Sequence, residues 1–191
     1  MARTGFVWDE KYVWFDSRTY ADWLPADAFF QPQPSPETAE GKRRFKNLLD
    51  AAGITPQLAA IPSRMATVDE IARIHDRGYI DRIKALSDDC GGDAGEETPF
   101  GKGSYEIALL SAGGAMNAVA AVARGEVANA YALTRPPGHH AERDLGRGYC
   151  IFGNTAIAAR HAQLEHGLAR VAVVDWDVHH GNGTEHAFYD D

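Results

Sequence analysis

Two short stretches of this 191-residue chain carry side chains able to do chemistry together: the adjacent imidazoles His139 and His140, and the alternating Asp175, Asp177 and His179. Histidine takes up and gives off protons near neutral pH, so a pair entering one site suits general acid-base work on a reacting group. A carboxylate and an imidazole two residues apart can close on one Zn2+ ion, which takes nitrogen and oxygen donors and keeps a position open for water when it is catalytic. Taken singly, each pattern is weak: a lone histidine after a strand is commonly a satisfied structural residue, and Asp-x-Asp is commonly a solvated turn. The stretch before the acids, Val171-Ala172-Val173-Val174, shifts the balance. On a buried strand, two carboxylates without a cation or hydrogen bonds would cost several kcal/mol, which favours a metal site.

These side chains need elements to hold them. Val127 to Leu133 reads as a strand running straight into Arg135-Pro136-Pro137-Gly138-His139-His140, where the prolines stiffen the approach and Gly138 lets the backbone turn closely. A helix over about Asn154 to His166 ends at Gly167, and Arg170 to Asp177 reads as a second strand. The order strand, loop, helix, strand is that of a parallel α/β unit. It places Tyr131 to Thr134 and Val171 to Asp175 as neighbouring parallel strands whose C-terminal ends share one cleft. On the second strand the period of two turns Asp175, Asp177 and His179 to one side.

Upstream, Phe6-Val7-Trp8 reads as an opening strand, followed by an aromatic stretch through Trp23 and a surface loop over residues 31–36. Ser35 with Pro36 predicts an N-cap and first helical position for a helix to about Asp50, closed by Gly53. Thr67 to Glu70 has the capping-box pattern, and Ile71, Ile74, Ile80 and Ile83 give helical spacing through two short helices. Asp88 to Gly103, rich in Gly and acids, predicts an exposed loop; an Ala-rich packing helix over about Ser104 to Arg124 follows, stopped by Gly125.

With 45% hydrophobic and 24% charged residues the chain fits one soluble globular domain. Its 27 acids against 19 bases, net −8, argue against duplex nucleic-acid binding and leave cationic substrates compatible. Cys90 and Cys150 form no CxxC pair, so both are expected as free thiols in a reducing compartment. The N-terminus lacks an apolar core of the signal-peptide kind, and no run of about 18 apolar residues offers a membrane span, so a cytoplasmic protein is expected.

Three motifs carry a family resemblance: Arg135-Pro136-Pro137-Gly138-His139-His140-Ala141, Gly148-Tyr149-Cys150-Ile151-Phe152, and the run from Val174 through Asp175, Trp176, Asp177, Val178, His179, His180, Gly181, Asn182 and Gly183 to Thr184. Together they resemble the histone deacetylase and acetylpolyamine amidohydrolase superfamily, nearest to its class II and bacterial deacetylase-like members. The resemblance implies an arginase-like three-layer α/β fold around a central parallel sheet, with residues 1–191 as the N-terminal portion of a single domain. It implies zinc-dependent removal of acetyl or related acyl groups from lysine side chains or polyamines. Asp177 and His179 would bind zinc, His140 would take the proton of the attacking water, and His139 would assist electrostatically or protonate the leaving amine. Asp175 would accept a hydrogen bond from His139, and Asn182 stands as the partner of His140 where class I members have Asp; a neutral amide supports an imidazolium less than a carboxylate does.

By the same resemblance Gly148 and Tyr149 line the acyl-lysine tunnel, Tyr149 keeping the ring of the commoner Phe and adding a hydroxyl, while Gly153 stands where Asn is common. Main-chain carbonyls of Asp175, Asp177 and His179 would hold a structural potassium ion. Cys150, beside the site, is expected as a buried inert thiol. In such proteins a third zinc ligand, an Asp, and a carbonyl-polarising Tyr come from the C-terminal half, which leaves two classes of function open: an enzyme whose active form needs more polypeptide, and a truncated module that binds a partner without turnover. A parallel sheet cut in its middle would also expose an apolar edge that should aggregate, pair with another chain as in a homo-oligomer, or require the remaining half. A two-manganese ureohydrolase fits poorly, because such a site needs extra bridging Asp and His ligands near the first strand ends.

Overall fold

Alternation along one four-residue strand decides how the central sheet is covered. The computed structural model describes residues 3–21, 24, 25, 29 and 31–191. Thr4–Val7 lies between Ala59–Ile61 and Asn129–Ala132, parallel to both, with Val7 level with Ile61 and Ala132. Six α-helices follow in chain order among the described residues: α1 Ala39–Ala51, α2 Val68–Ile71, α3 Arg77–Asp89, α4 Ser104–Ala123, α5 Asn154–His166 and α6 Asn182–Phe188.

On one face of the sheet Val7, Ile61, Ala130 and Ala132 pack with Leu110, Ala118 and Ala121 of α4. On the other, Phe6 stacks on Tyr131 and Tyr131 on Phe45 of α1, with ring centroids 6.5 and 5.6 Å apart. Helices therefore cover both faces, giving the expected three layers. Behind α4 a second cluster joins Ala108, Ala112 and Met116 to Ile157 of α5 and to Ile80, Ile83 and Phe152. Gly113 and Gly114 let α4 sit this close: a Cβ on Gly113 would come within 1.9 Å of the Arg64 carbonyl, and one on Gly114 within 2.3 Å of the Tyr12 hydroxyl. Each helical glycine costs about 1 kcal/mol relative to Ala, a cost offset here by contact that a side chain would forbid.

Several sequence expectations hold. Thr67 and Glu70 form the capping box of α2, with the Thr67 N–H donating to Glu70 Oε2 at 2.8 Å. Helix α5 keeps its expected bounds and ends at Gly167 in the left-handed conformation, φ +66°. Cys90 and Cys150 are free thiols.

Others are corrected. Helix α1 starts at Ala39 with Thr38 as its N-cap, not at Ser35, because Gln33–Pro34 is still extended and paired antiparallel with Thr19–Tyr20. The acidic segment is no loose loop: α3 continues to Asp89, Gly91–Asp93 pairs antiparallel with Pro99–Gly101, and Phe100 is fully buried in the core. Helix α4 is long and apolar enough to cross a membrane, against the expectation that no such segment exists, and most of its residues are buried between sheet and α5. Trp23 lies outside the described residues.

The largest correction concerns the expected second strand. Residues 167–180 are exposed and none of them is in a strand, and Asn129–Ala132 pairs only with Thr4–Val7 among the described residues. The β-branched run Val171 to Val174 has strand propensity, but a strand exists only through a hydrogen-bonded neighbour, and here it has none.

The loop leaving the Asn129–Ala132 strand is tied down by charge. Arg135, 1% exposed, donates Nε to both Glu37 carboxylate oxygens at 2.8 Å, Nη1 to the Phe15 carbonyl, and Nη2 to Ser17 Oγ at 3.1 Å. Removing one partner of such a pair strands the other's charge. Glu37→Ala should lower unfolding free energy by about 3 kcal/mol in urea titration. A loss below about 1 kcal/mol would show that the carbonyl acceptors suffice without the carboxylate.

Candidate functional site

The histidine loop is fixed at three points before its imidazoles enter the cleft. Ser111 Oγ and Asn154 Nδ2 both donate to the Pro136 carbonyl, at 2.9 and 3.0 Å. Gly138 passes so near the start of α5 that a Cβ would stand 2.6 Å from the Asn154 nitrogen. At the far side the N–H groups of Gly183 and Thr184, in the first turn of α6, donate to the His139 carbonyl at 2.9 and 3.2 Å. The exposed donors of a helix start thus hold the backbone between the two imidazoles.

The two rings lie with centroids 3.9 Å apart. His139 Nδ1 is 2.9 Å from Asp175 Oδ2, and His140 Nδ1 is 2.7 Å from Asn182 Oδ1. A carboxylate oxygen only accepts, so it assigns the Nδ1 proton to His139; an amide oxygen does the same for His140. Both rings then have Nε2 as the nitrogen left for proton transfer. Partial burial opposes ionisation of Asp175, but its hydrogen bonds from His139 and from the Asp177 N–H hold its carboxyl below the usual range. The charge that orients His139 is therefore present at neutral pH.

Asp175, Asp177 and His179 do not sit on a strand. Residues 177–179 form a bend in which Asp177 Oδ1 accepts both the His179 backbone N–H and its ring Nδ1, each at 2.8 Å. These two hydrogen bonds hold the Asp177 carboxyl below its ordinary value. The bend does what strand alternation was expected to do, turning a carboxylate oxygen and an imidazole nitrogen toward one point. It does so in the open, with side chains 49% and 71% exposed, so no desolvation of buried carboxylates demands a cation here. One oxygen and one nitrogen donor suit zinc chemically. Among the described residues no third His, Cys, Asp or Glu completes a cluster with them.

The two stretches do share a cleft: the His140 and His179 ring centroids are 6.0 Å apart. A groove of about 610 Å³, lined by Val171, Val173, Asp175, Asp177, Val178 and His179, opens beside them. Gly148 adjoins His140 so closely that a Cβ would meet its Cδ2 at 2.7 Å, and Gly148 and Tyr149 both have positive φ, +51° and +66°. For Tyr149 that conformation is strained, and it is held by N–H donation from Gly148 to the Glu96 carbonyl and from Tyr149 to the Glu97 carbonyl, each at 3.0 Å. The acidic segment thus shapes the wall beside His140. Burial pushes the Cys150 thiol up to about 12, which fits an inert thiol.

Sequence reasoning missed the residues that support the site. Ser111 sits inside a helix read only as a packing element, and Asn154 opens a helix read only as the link between two strands. Glu142 stands two residues past His140, the one positional hint it offers, and accepts hydrogen bonds from Asn182, Arg147 and His186. His75, buried against Tyr79 and Phe152, accepts the Gly153 N–H through Nε2 at 2.9 Å.

Residues 35–191 match the family model described as the histone deacetylase domain. The histone deacetylase-like amidohydrolase of Pseudomonas aeruginosa is 47% identical over 190 residues, covering 98% of this chain and 50% of that protein. The polyamine deacetylase HDAC10 of Homo sapiens is 37% identical over 150 residues, covering 73% of this chain and 22% of that protein. Among solved structures, the crystal structure of the HDA15 HD domain superposes with a TM-score of 0.86 at 32% identity, over 98% of this chain and 51% of that one. The chain spans about half the length of the first of these relatives, and less of the second.

His75 gives the site's support a measurable pH dependence. Burial holds its imidazole down to about 4 from an ordinary 6.5. The unfolded chain then binds the extra proton between those values, so this contribution is complete above about pH 6.5 and is lost as pH falls toward 4. Between those limits the slope is about 1.4 kcal/mol per pH unit. Urea unfolding at pH 7 and pH 5 should show wild type losing more stability on acidification than His75→Gln; equal losses would remove His75 from the account.

Proposed function

The chain belongs to the histone deacetylase family, and from that premise we propose that it builds the proton-transfer centre and two zinc donors of an amidohydrolase acting on acylated lysine side chains or polyamines. The observation that carries this is the paired imidazoles, each with its Nδ1 proton assigned by Asp175 or Asn182, facing a carboxylate and imidazole that converge within 2.8 Å. Residues 1–191 would supply the N-terminal portion of one deacetylase domain. The main-chain carbonyls of Asp175, Asp177 and His179 are the proposed donors for a potassium ion.

Asp177 and His179 would hold zinc, whose chemistry in such a site is Lewis acidity toward an acyl carbonyl and toward water. The chain's own residues handle the protons. His140 Nε2 accepts the proton of the attacking water; when the acyl carbon–nitrogen bond breaks, the departing amine nitrogen takes a proton from the histidine pair. Asp175 keeps His139 in register, and Gly148 lets the backbone pass close against the His140 ring, with Tyr149 as the adjoining wall for the acyl chain. The net charge of −8 suits a substrate that carries amines.

A second reading, a module that binds a partner without turnover, is favoured by one observation: only two metal donors come together among the described residues. A catalytic zinc ordinarily takes three protein ligands, so residues 1–191 by themselves should not turn over an acetyl-lysine substrate.

In the full-length protein, Asp177→Ala should abolish both bound zinc, read by metal analysis, and deacetylation. Full zinc stoichiometry in that variant would refute the ligand assignment. His140→Ala should instead keep zinc and lower kcat by about 10²- to 10⁴-fold, the usual worth of a general base. A loss of less than about tenfold would give the proton to another group.

A further inference from the structure

Asn182 can serve His140 in two ways, and they have opposite consequences. With Oδ1 toward the ring it accepts the Nδ1 proton and leaves Nε2 as a base. With the amide turned by half a rotation, Nδ2 would donate to His140 Nδ1, the ring proton would move to Nε2, and the base would be lost. An aspartate has no such ambiguity, since both its oxygens accept. Because the chain has an amide at this position, something else must choose its orientation.

We propose that Glu142 is that device: a positioning residue that fixes the Asn182 amide and, through it, the tautomer of His140. Glu142 Oε1 accepts from Asn182 Nδ2 at 2.8 Å, while Asn182 Oδ1 faces His140 Nδ1 at 2.7 Å. Turning the amide would set its oxygen against the Glu142 carboxylate, two acceptors with no proton between them, in a place where the glutamate side chain is only 16% exposed. Such a mismatch in a half-buried place is disfavoured, because neither acceptor gets the proton it needs and water replaces it only in part. Glu142 is itself held from three sides: Arg147 Nη1 reaches Oε1 at 3.0 Å, His186 Nδ1 reaches Oε2 at 3.0 Å, and its own N–H donates to the Leu145 carbonyl at 2.9 Å. The proton logic of the site thus runs from Arg147 and His186 through Glu142 and Asn182 to His140. His139 needs no such relay, because Asp175 is its acceptor directly.

This inference rests on the base role given to His140 above, yet its test does not need turnover. In metal-free, ¹⁵N-histidine-labelled protein at about pH 8, above the ordinary imidazole range, long-range ¹H–¹⁵N spectra distinguish Nδ1–H from Nε2–H rings, and His140→Gln assigns the signal. Wild type should show His140 with the proton on Nδ1; finding it on Nε2 overturns the proposal without any further variant. Glu142→Met, which keeps the side chain's length but cannot accept, should move the proton toward Nε2. Glu142→Gln, which still offers an oxygen to Asn182, should keep it on Nδ1. The double variant E142M/N182D, where no amide remains to turn, should restore Nδ1–H. An unchanged tautomer in folded Glu142→Met means that Glu142 serves only its ion pairs and the proposal fails. In the zinc-loaded full-length protein the same variant should lower kcat by about 10- to 100-fold with KM and metal content unchanged. A tautomer shift with no deacetylase activity in any form would sink the function while leaving the relay in place.

Discussion

Arg135 carries a permanent charge into the interior, and the architecture around the site depends on keeping that charge satisfied. Its guanidinium is reached by a carboxylate from the start of α1, by backbone carbonyls from the segment around Tyr12 to Phe15, and by the Ser17 hydroxyl. Buried ion pairs of this kind contribute little net stability compared with an apolar substitute, but they tolerate only one arrangement. Here that arrangement binds the N-terminal segment, the entry to α1 and the end of the Asn129–Ala132 strand to one point, four residues before the first of the paired imidazoles. Glu37, just ahead of the Thr38 N-cap of α1, is thereby tied to the end of that strand.

From that anchor outward the site is built by hydrogen bonds to backbone carbonyls, with apolar contact secondary. The Pro136 carbonyl is held by Ser111 and Asn154, the His139 carbonyl by the first turn of α6, and the Gly148 and Tyr149 N–H groups by the acidic segment. Four separate elements therefore converge on fewer than twenty residues. Such convergence holds the backbone that carries the two rings, as the proposed proton transfer would require, since it tolerates only small errors in distance.

How much of this was legible depended on the range of the interaction. Local signals were read well: the Thr67 capping box, the bounds of α5 with Gly167 behind it, and the pairing of His139 with Asp175 and of His140 with Asn182, which followed from motif resemblance. Interactions across the sequence were not. Nothing in the residues flanking Glu37 announces a partner 98 positions away, and the glycines and acids of residues 88–103 look like a loop until Phe100 is seen in the core. Helix α4 carries Ser111, which holds the Pro136 carbonyl, on a face that periodicity marks only as buried.

Strand propensity alone does not make a strand of residues 171–174. Val171 to Val174 is as strand-prone as Asn129 to Ala132, yet only the latter is a strand, since only it lies beside Thr4–Val7. Order along residues 174–180 comes instead from side-chain hydrogen bonds: Asp175 to His139, Asp177 to His179, His180 to Glu185. Those bonds fix the ends of the donor side chains while leaving Val174, Trp176 and Val178 between 80% and 92% exposed. An exposed apolar run of this kind, alternating with acids that already have partners, calls for cover on its apolar side and none on its polar side. The placing of the donor side chains and the covering of this segment are therefore separate problems: the first is set by hydrogen bonds among the described residues, and the second concerns the apolar side chains that those bonds leave exposed.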